Sequence, residues 1–327
     1  MSGGQNEKRR HHYVPVFHLS GFTKKDNRES PLFVFNTETG SQFESKPERI
    51  GFERDLYTVD LPDVQPDAIE DVFADLEDKT APVVRTLCET LQLPDGDDYN
   101  FLMNYIALLE VRTPIRRRIF ADFMEQVAKI TLQEVVATEE RFEGTRQRMA
   151  ADGQEVPKVS YQDLRDFAFE ERYTVSFDNN THVRNVLDTM DAVLHPLGAR
   201  NWSVIYSPET LGDFICSDHP VSLHWLEEKE RGFFSSPGHG RLDTEVTVPL
   251  TSRVLLLGRF QPFMPKRIIL KSRLHLAYLN SYSSMNCERF IFSRKEDFVW
   301  FSRENKVADV SDFRRIIAED LKRSKKP

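Results

Sequence analysis

The sequence predicts an α+β protein: an N-terminal β-hairpin, a helical middle, and a C-terminal mixed, mostly antiparallel sheet with flanking helices. Three observations predict it. Two short β-rich runs flank Thr37–Gly40 in "LFVFNTETGSQFES", and Gly40 supplies the positive φ of a tight turn. Apolar residues then recur every three or four positions from about Pro66 to Leu197. Beyond Gly198 the pattern returns to β-branched and aromatic runs separated by turn residues.

Taken in order, residues 1–10 are polar and read as a flexible N-terminus. After the hairpin, "DLYTVD" reads as a short strand. Ile69, Val72, Phe73, Leu76, Val83, Val84, Leu87 and Leu91 form one helical stripe, with Pro82 expected to kink or divide it. "LPDGDDYNF" breaks the pattern, and Asp97 or Asp98 is expected to cap the next helix. Thr113-Pro114 marks a kink or a new helix start. From Pro114 the helical pattern runs to about Ala150, with Phe120, Phe123, Val127 and Ile130 expected inward. Residues 152–160 form a linker before a short helix that Ser160 and Asp163 can cap. A further helix spans about Thr181 to Leu197. "WSVIYS", "DFICSDHPVSLHW", "EVTVPL", "RVLLLGRF" and "RFIFSR" read as strands, with helices near Leu270–Glu288 and Ser311–Lys322. The organisation expected is one interleaved domain over residues 11–327. Its helical part covers about 66–198 and its sheet-rich parts about 11–60 and 200–327.

Composition sets limits on function. With 327 residues and 24 Phe the chain can bury a substantial core. A net charge of -8 argues against a surface coated in basic residues for nonspecific nucleic-acid binding, while leaving room for a local basic groove. The cysteines Cys88, Cys216 and Cys287 are far apart and form no CxxC pair, which argues against a disulfide scaffold and for a reducing compartment. No signal peptide is evident, and no apolar run approaches the ~20 residues a membrane span needs. The protein is therefore expected to be soluble and cytoplasmic, with no membrane partner. GxGxxG, P-loop, HExxH and GxSxG motifs are all absent.

Four segments carry candidate chemistry. His11-His12-Tyr13 offers two imidazoles that titrate near neutrality, bind metals and exchange protons; the plainer reading is an exposed basic tail. "VRTPIRRR" contains Arg112 and Arg116, whose guanidinium forks suit phosphate or carboxylate; the plainer reading is a solvated helix face. Arg112 follows the apolar "IALLEV" and so stands at the inner end of a buried helix. "FICSDHPVSL" delivers Ser217, Asp218 and His219 to a strand end. Carboxylate beside imidazole can hold a metal or orient a base; an Asp-x-Pro turn is the alternative. Asn280 lies on a mostly apolar helix, where a polar group needs a partner.

From "HHYVPVFHLSGF" onward the sequence resembles a bacterial family catalogued only as a domain of unknown function. The likeness rests on His11-His12-Tyr13-Val14-Pro15, "LFVFNTETG", Asp55-Leu56-Tyr57, Ala81-Pro82-Val83, Arg112-Thr113-Pro114, Ser217-Asp218-His219-Pro220, Pro249-Leu250-Thr251 and Asn280. The chain departs from the pattern at His219, where the family usually shows asparagine. The resemblance implies no established reaction. It does imply that polar motifs far apart in sequence converge on one site.

Two functions are expected. The first is a hydrolase acting on a phosphate-bearing substrate, with a metal-dependent nuclease as its narrower form. In it His11, His12, Tyr13 and Asp218 are catalytic. Arg112, Arg116, Asn280 and Ser217 bind substrate, and His12, Asp218 and His219 ligate a divalent metal ion. Its partner is a phosphate-bearing small molecule or nucleic acid, steered by Lys8, Arg9 and Arg10. The second is a non-catalytic binding or regulatory protein, including a component of a defence or toxin system.

Overall fold

The computed structural model describes residues 9–227, 236–262, 264–302 and 306–324, the last five of these as backbone. Most of the N-terminal stretch expected to be flexible, including Lys8, lies outside the described residues. The first element, β1 (Arg10–His12), is only three residues long. The short helix α1 (Val16–Ser20) follows, and then the expected hairpin, β2 (Leu32–Asn36) and β3 (Gln42–Ser45). Gly40 has φ +69°, and the Asn36 side chain accepts the amides of Glu38 and Thr39 at 2.9 and 3.2 Å, so the turn carries its own chemistry. Strand β4 (Phe52–Arg54) pairs antiparallel with β1, His11 opposite Glu53.

"DLYTVD" is a turn, not the expected strand. Asp55 takes φ +57°, and the Tyr57 amide donates to His11 Nδ1 at 2.8 Å rather than to a strand neighbour. Helix α2 (Ala68–Thr90) runs unbroken through Pro82. Pro82 and Asp78, whose carbonyl loses its usual donor, both lie on the exposed side, where that carbonyl is not shut away from solvent. Helix α3 (Gly96–Val111) starts after Asp95, earlier than expected, with Asp97 and Asp98 in its first turn favouring the helix dipole. Its second half is buried almost without interruption from Leu102 to Val111.

A new helix does begin at Pro114. The single run expected to Ala150 is, however, two helices, α4 (Pro114–Val135) and α5 (Glu139–Ala151), the second capped by Thr138. None of α4 is fully buried, and Phe123 and Ile130 are 62% and 61% exposed instead of facing inward. The interior is already filled by α3, which lies against α2 and α7 (Asn179–Gly198). Between them, α6 (Tyr161–Glu170) is capped by Ser160 as expected.

The C-terminal part supplies β5 (Asn201–Tyr206), β6 (Cys216–Ser217), β7 (Ser222–Trp225), β8 (Thr244–Pro249), β9 (Val254–Arg259) and β10 (Arg267–Ile269). Helix α8 (Arg273–Met285), β11 (Phe290–Ser293), the small pair β12 (Trp300–Phe301) and β13 (Val307–Ala308), and α9 (Val310–Ser324) complete it. One sheet has the order β10-β5-β9-β8-β7, antiparallel except where β10 runs parallel to β5. The other has the order β3-β2-β11-β6, so Asn36 pairs with Phe290. One apolar cluster reaches from Tyr13 through α3 to Phe292. Among the described residues no helix is long and apolar enough to cross a membrane.

Candidate functional site at the end of α3

An acid and a base close α3 and face different surroundings. Arg112 is the residue after the last helical turn, and its side chain has no exposure. Its Nη1 meets Glu77 Oε1 at 2.5 Å, and its Nη2 donates to the carbonyl of His12. The guanidinium lies 5.6 and 5.3 Å from the centres of the Tyr57 and Phe73 rings. Tyr57 closes the loop by donating its hydroxyl to the Arg112 carbonyl. Burial opposes the Arg112 charge, but Glu77, Tyr57 and Glu70 together outweigh it and hold the guanidinium protonated. Burial pushes Glu70 up to about 7 against the pull of Arg112.

The N-terminal histidines frame this node. His11 is fully buried, and because its Nδ1 accepts from Tyr57, the proton of the neutral ring sits on Nε2. Its ring stacks on Tyr57, centres 5.6 Å apart. Burial, assisted by the Arg112 charge, lowers His12 to about 4. Tyr13 is buried as well, and burial together with the nearby Asp218 raises its hydroxyl above the ordinary range.

Asp218 accepts three successive amides, from Glu288, Arg289 and Phe290, at 2.9, 2.7 and 2.9 Å, and so fixes the entry to β11. Burial raises its carboxyl, although these amides pull the other way. Ser217 bonds both the carbonyl and the amide of His219. Asn280 satisfies its amide on Ile215, Asp213 and Val299, joining α8 to both neighbouring segments. These side chains bond to backbone, which ties the expected motifs to one another as part of the fold's frame.

Glu110, two residues before Arg112, builds a second node. It is 1% exposed in the buried second half of α3, where an unpartnered carboxylate would be costly. Its Oε2 meets His219 Nε2 at 3.0 Å; its Oε1 meets His239 Nε2 at 2.9 Å and also pairs with Arg116. Burial works against the Glu110 charge, yet His219, His239 and Arg116 outweigh it and hold the carboxyl well below its usual range. The Arg116 side chain is 35% exposed, so this node opens to solvent where the Arg112 node does not. His239 Nδ1 is buried with no protein partner.

Arg112 and Arg116 therefore occupy separate nodes, because the helix ends between them. Among the described residues no group of three His, Cys, Asp or Glu is placed to hold a metal ion. The expected set of His12, Asp218 and His219 is not assembled: Asp218 turns to backbone amides and His219 to Glu110. Sequence reasoning missed Glu110, whose signal was a lone acid inside "IALLEV", and His239, isolated between glycines in "PGHGR".

The fold and these nodes define an α+β protein in which a buried carboxylate gathers imidazole and guanidinium groups from distant segments. The chain belongs to the family described as "Protein of unknown function (DUF4238)", which it matches over residues 10–297. No curated protein and no solved structure matched it.

Proposed function

We propose that the protein is a hydrolase of phosphate-bearing substrates, with nuclease activity as its narrower form, working by imidazole acid–base chemistry at the Glu110 node. The observation that carries this reading is one fully buried carboxylate contacting two imidazoles from separate loops and a guanidinium that reaches solvent. A carboxylate on one ring nitrogen orients an imidazole and leaves the other nitrogen to move protons. One imidazole takes a proton from water as the water oxygen bonds to phosphorus. The other gives a proton to the leaving oxygen as the old P–O bond breaks. Arg116 neutralises the charge that develops on the phosphoryl oxygens. The three free cysteines support a reducing, cytoplasmic setting.

Hydrolysis of phosphomonoesters, phosphodiesters and RNA, with chelator and with Mg²⁺, Mn²⁺ or Zn²⁺, tests it. His239→Gln and His219→Gln are each expected to lower the rate at least about 10²-fold with melting temperatures near wild type. Cleavage of none of these substrates, or variants as active as wild type, overturns the proposal. One observation favours the non-catalytic reading: His11, Arg112 and Asp218 bond to protein groups within the fold. Cleavage of none of the substrates, with chelator or with any of the metals, together with lowered melting temperatures in His219→Gln and His239→Gln, supports that reading instead.

A further inference from the structure

A cleft of about 650 Å³ opens on another face, between the α2–α3 connection and the β5–β10 edge. Leu91, Leu93 and Pro94 form an apolar wall, and Tyr99 stands half-buried beside them. The opposite side carries three cations, Arg200, Lys266 and Arg267, and no carboxylate lines the cleft among the described residues. Lys266 and Arg267 are exposed and have no ion-pair partner among the described residues. Arg200 is 4% exposed and packs over Phe260 at 4.3 Å. Its Nη atoms bond to Thr244, Gly258 and the His239 carbonyl, and its Nε has no protein partner. Arg200 has the Glu245 carboxylate nearby, so in a protein of net charge -8 the two cations facing the apolar wall without an ion-pair partner are Lys266 and Arg267, a local positive potential that attracts an anion.

We infer that this cleft binds a nucleoside phosphate, the phosphate between Lys266 and Arg267 and the base against Tyr99 and the leucine wall. The volume suits one such molecule. Cations on one side and an apolar wall with the Tyr99 ring on the other match an organic anion with a planar body better than free phosphate or a neutral apolar compound. The site is distinct from the Glu110 node, although Arg200 touches both the cleft and the carbonyl of His239.

Titration calorimetry with AMP, ADP, ATP, adenosine and inorganic phosphate tests the assignment. The nucleotides are expected to bind, with adenosine and phosphate each at least about tenfold weaker. The doubly substituted Lys266→Glu, Arg267→Glu protein is expected to lose nucleotide affinity at least about tenfold while melting as wild type, since both side chains are exposed. His239→Gln is expected to keep nucleotide affinity. Absence of binding at millimolar nucleotide, binding that survives the charge reversal, or phosphate binding as tightly as ATP overturns the inference. Affinity lost in His239→Gln but not in the charge-reversed protein also overturns it, and would place the nucleotide at the Glu110 node as a substrate.

Discussion

Glu110 and Arg112 stand two residues apart at the end of one helix, both buried, and do different work. Arg112 is sealed: a carboxylate, a carbonyl and two aromatic rings surround it, and none of its side chain meets water. Glu110 is equally deep, yet its partners lead outward through Arg116 to solvent. Burial of a charge therefore does not by itself mark a functional group. A sealed pair fixes a chain crossing, here α2, α3 and the N-terminal strand. A buried carboxylate whose cationic partners reach the surface can also orient groups toward a ligand.

Removing the sealed cation tests this contrast most severely. Arg112→Met leaves Glu77 and the His12 carbonyl without their donor and should cost about 3–5 kcal/mol in urea unfolding. Under the proposed function, whatever fraction stays folded should cleave phosphoesters as wild type does. Glu110→Gln should reverse the balance, costing about 1–3 kcal/mol in stability but lowering activity at least about 10²-fold. Equal losses of activity in both variants would erase the distinction between the nodes.

A pH series separates frame from site further. Burial is the main cause holding His12, His18 and His224 to about 4. Between about 6.5 and 4 the unfolded chain binds protons that these native imidazoles refuse, so stability falls as pH drops through that window. His18 bonds Tyr105 at 3.0 Å within the core; His18→Gln should make the decline in unfolding free energy, read from urea curves across the pH series, shallower by on the order of one proton, about 1.4 kcal/mol per pH unit. The smallest effect belongs to the exposed face of α4. Phe123→Ser should change stability by no more than about 0.5 kcal/mol, measured by the same unfolding curves.

Local chemistry made much of the fold legible. The hairpin could be read because Gly40 supplies the turn, and the α4 start because Thr113-Pro114 presets it. "DLYTVD" misled because its conformation is set by a distant imidazole, His11, which no local pattern reveals. The α4 face misled because its apolar periodicity is real while the interior is already occupied by α3. At the site, the burial of Arg112 was readable from the apolar run before it, and the sequence alone picked out Arg116 and His219 without their partner. That partner, Glu110, lies 129 positions from His239 in the chain, a contact that only folding creates.

The pairing of β2 with β11 also has a consequence for biogenesis. Val34 and Phe35 lie in the middle of the second sheet, and Phe35 waits for Ile291 as its cross-strand neighbour. At about 5–20 residues per second, a ribosome needs roughly 10–50 s to make the intervening chain. For that interval the β2 edge that pairs with β11 has no strand partner, so the second sheet closes only when synthesis nears its end.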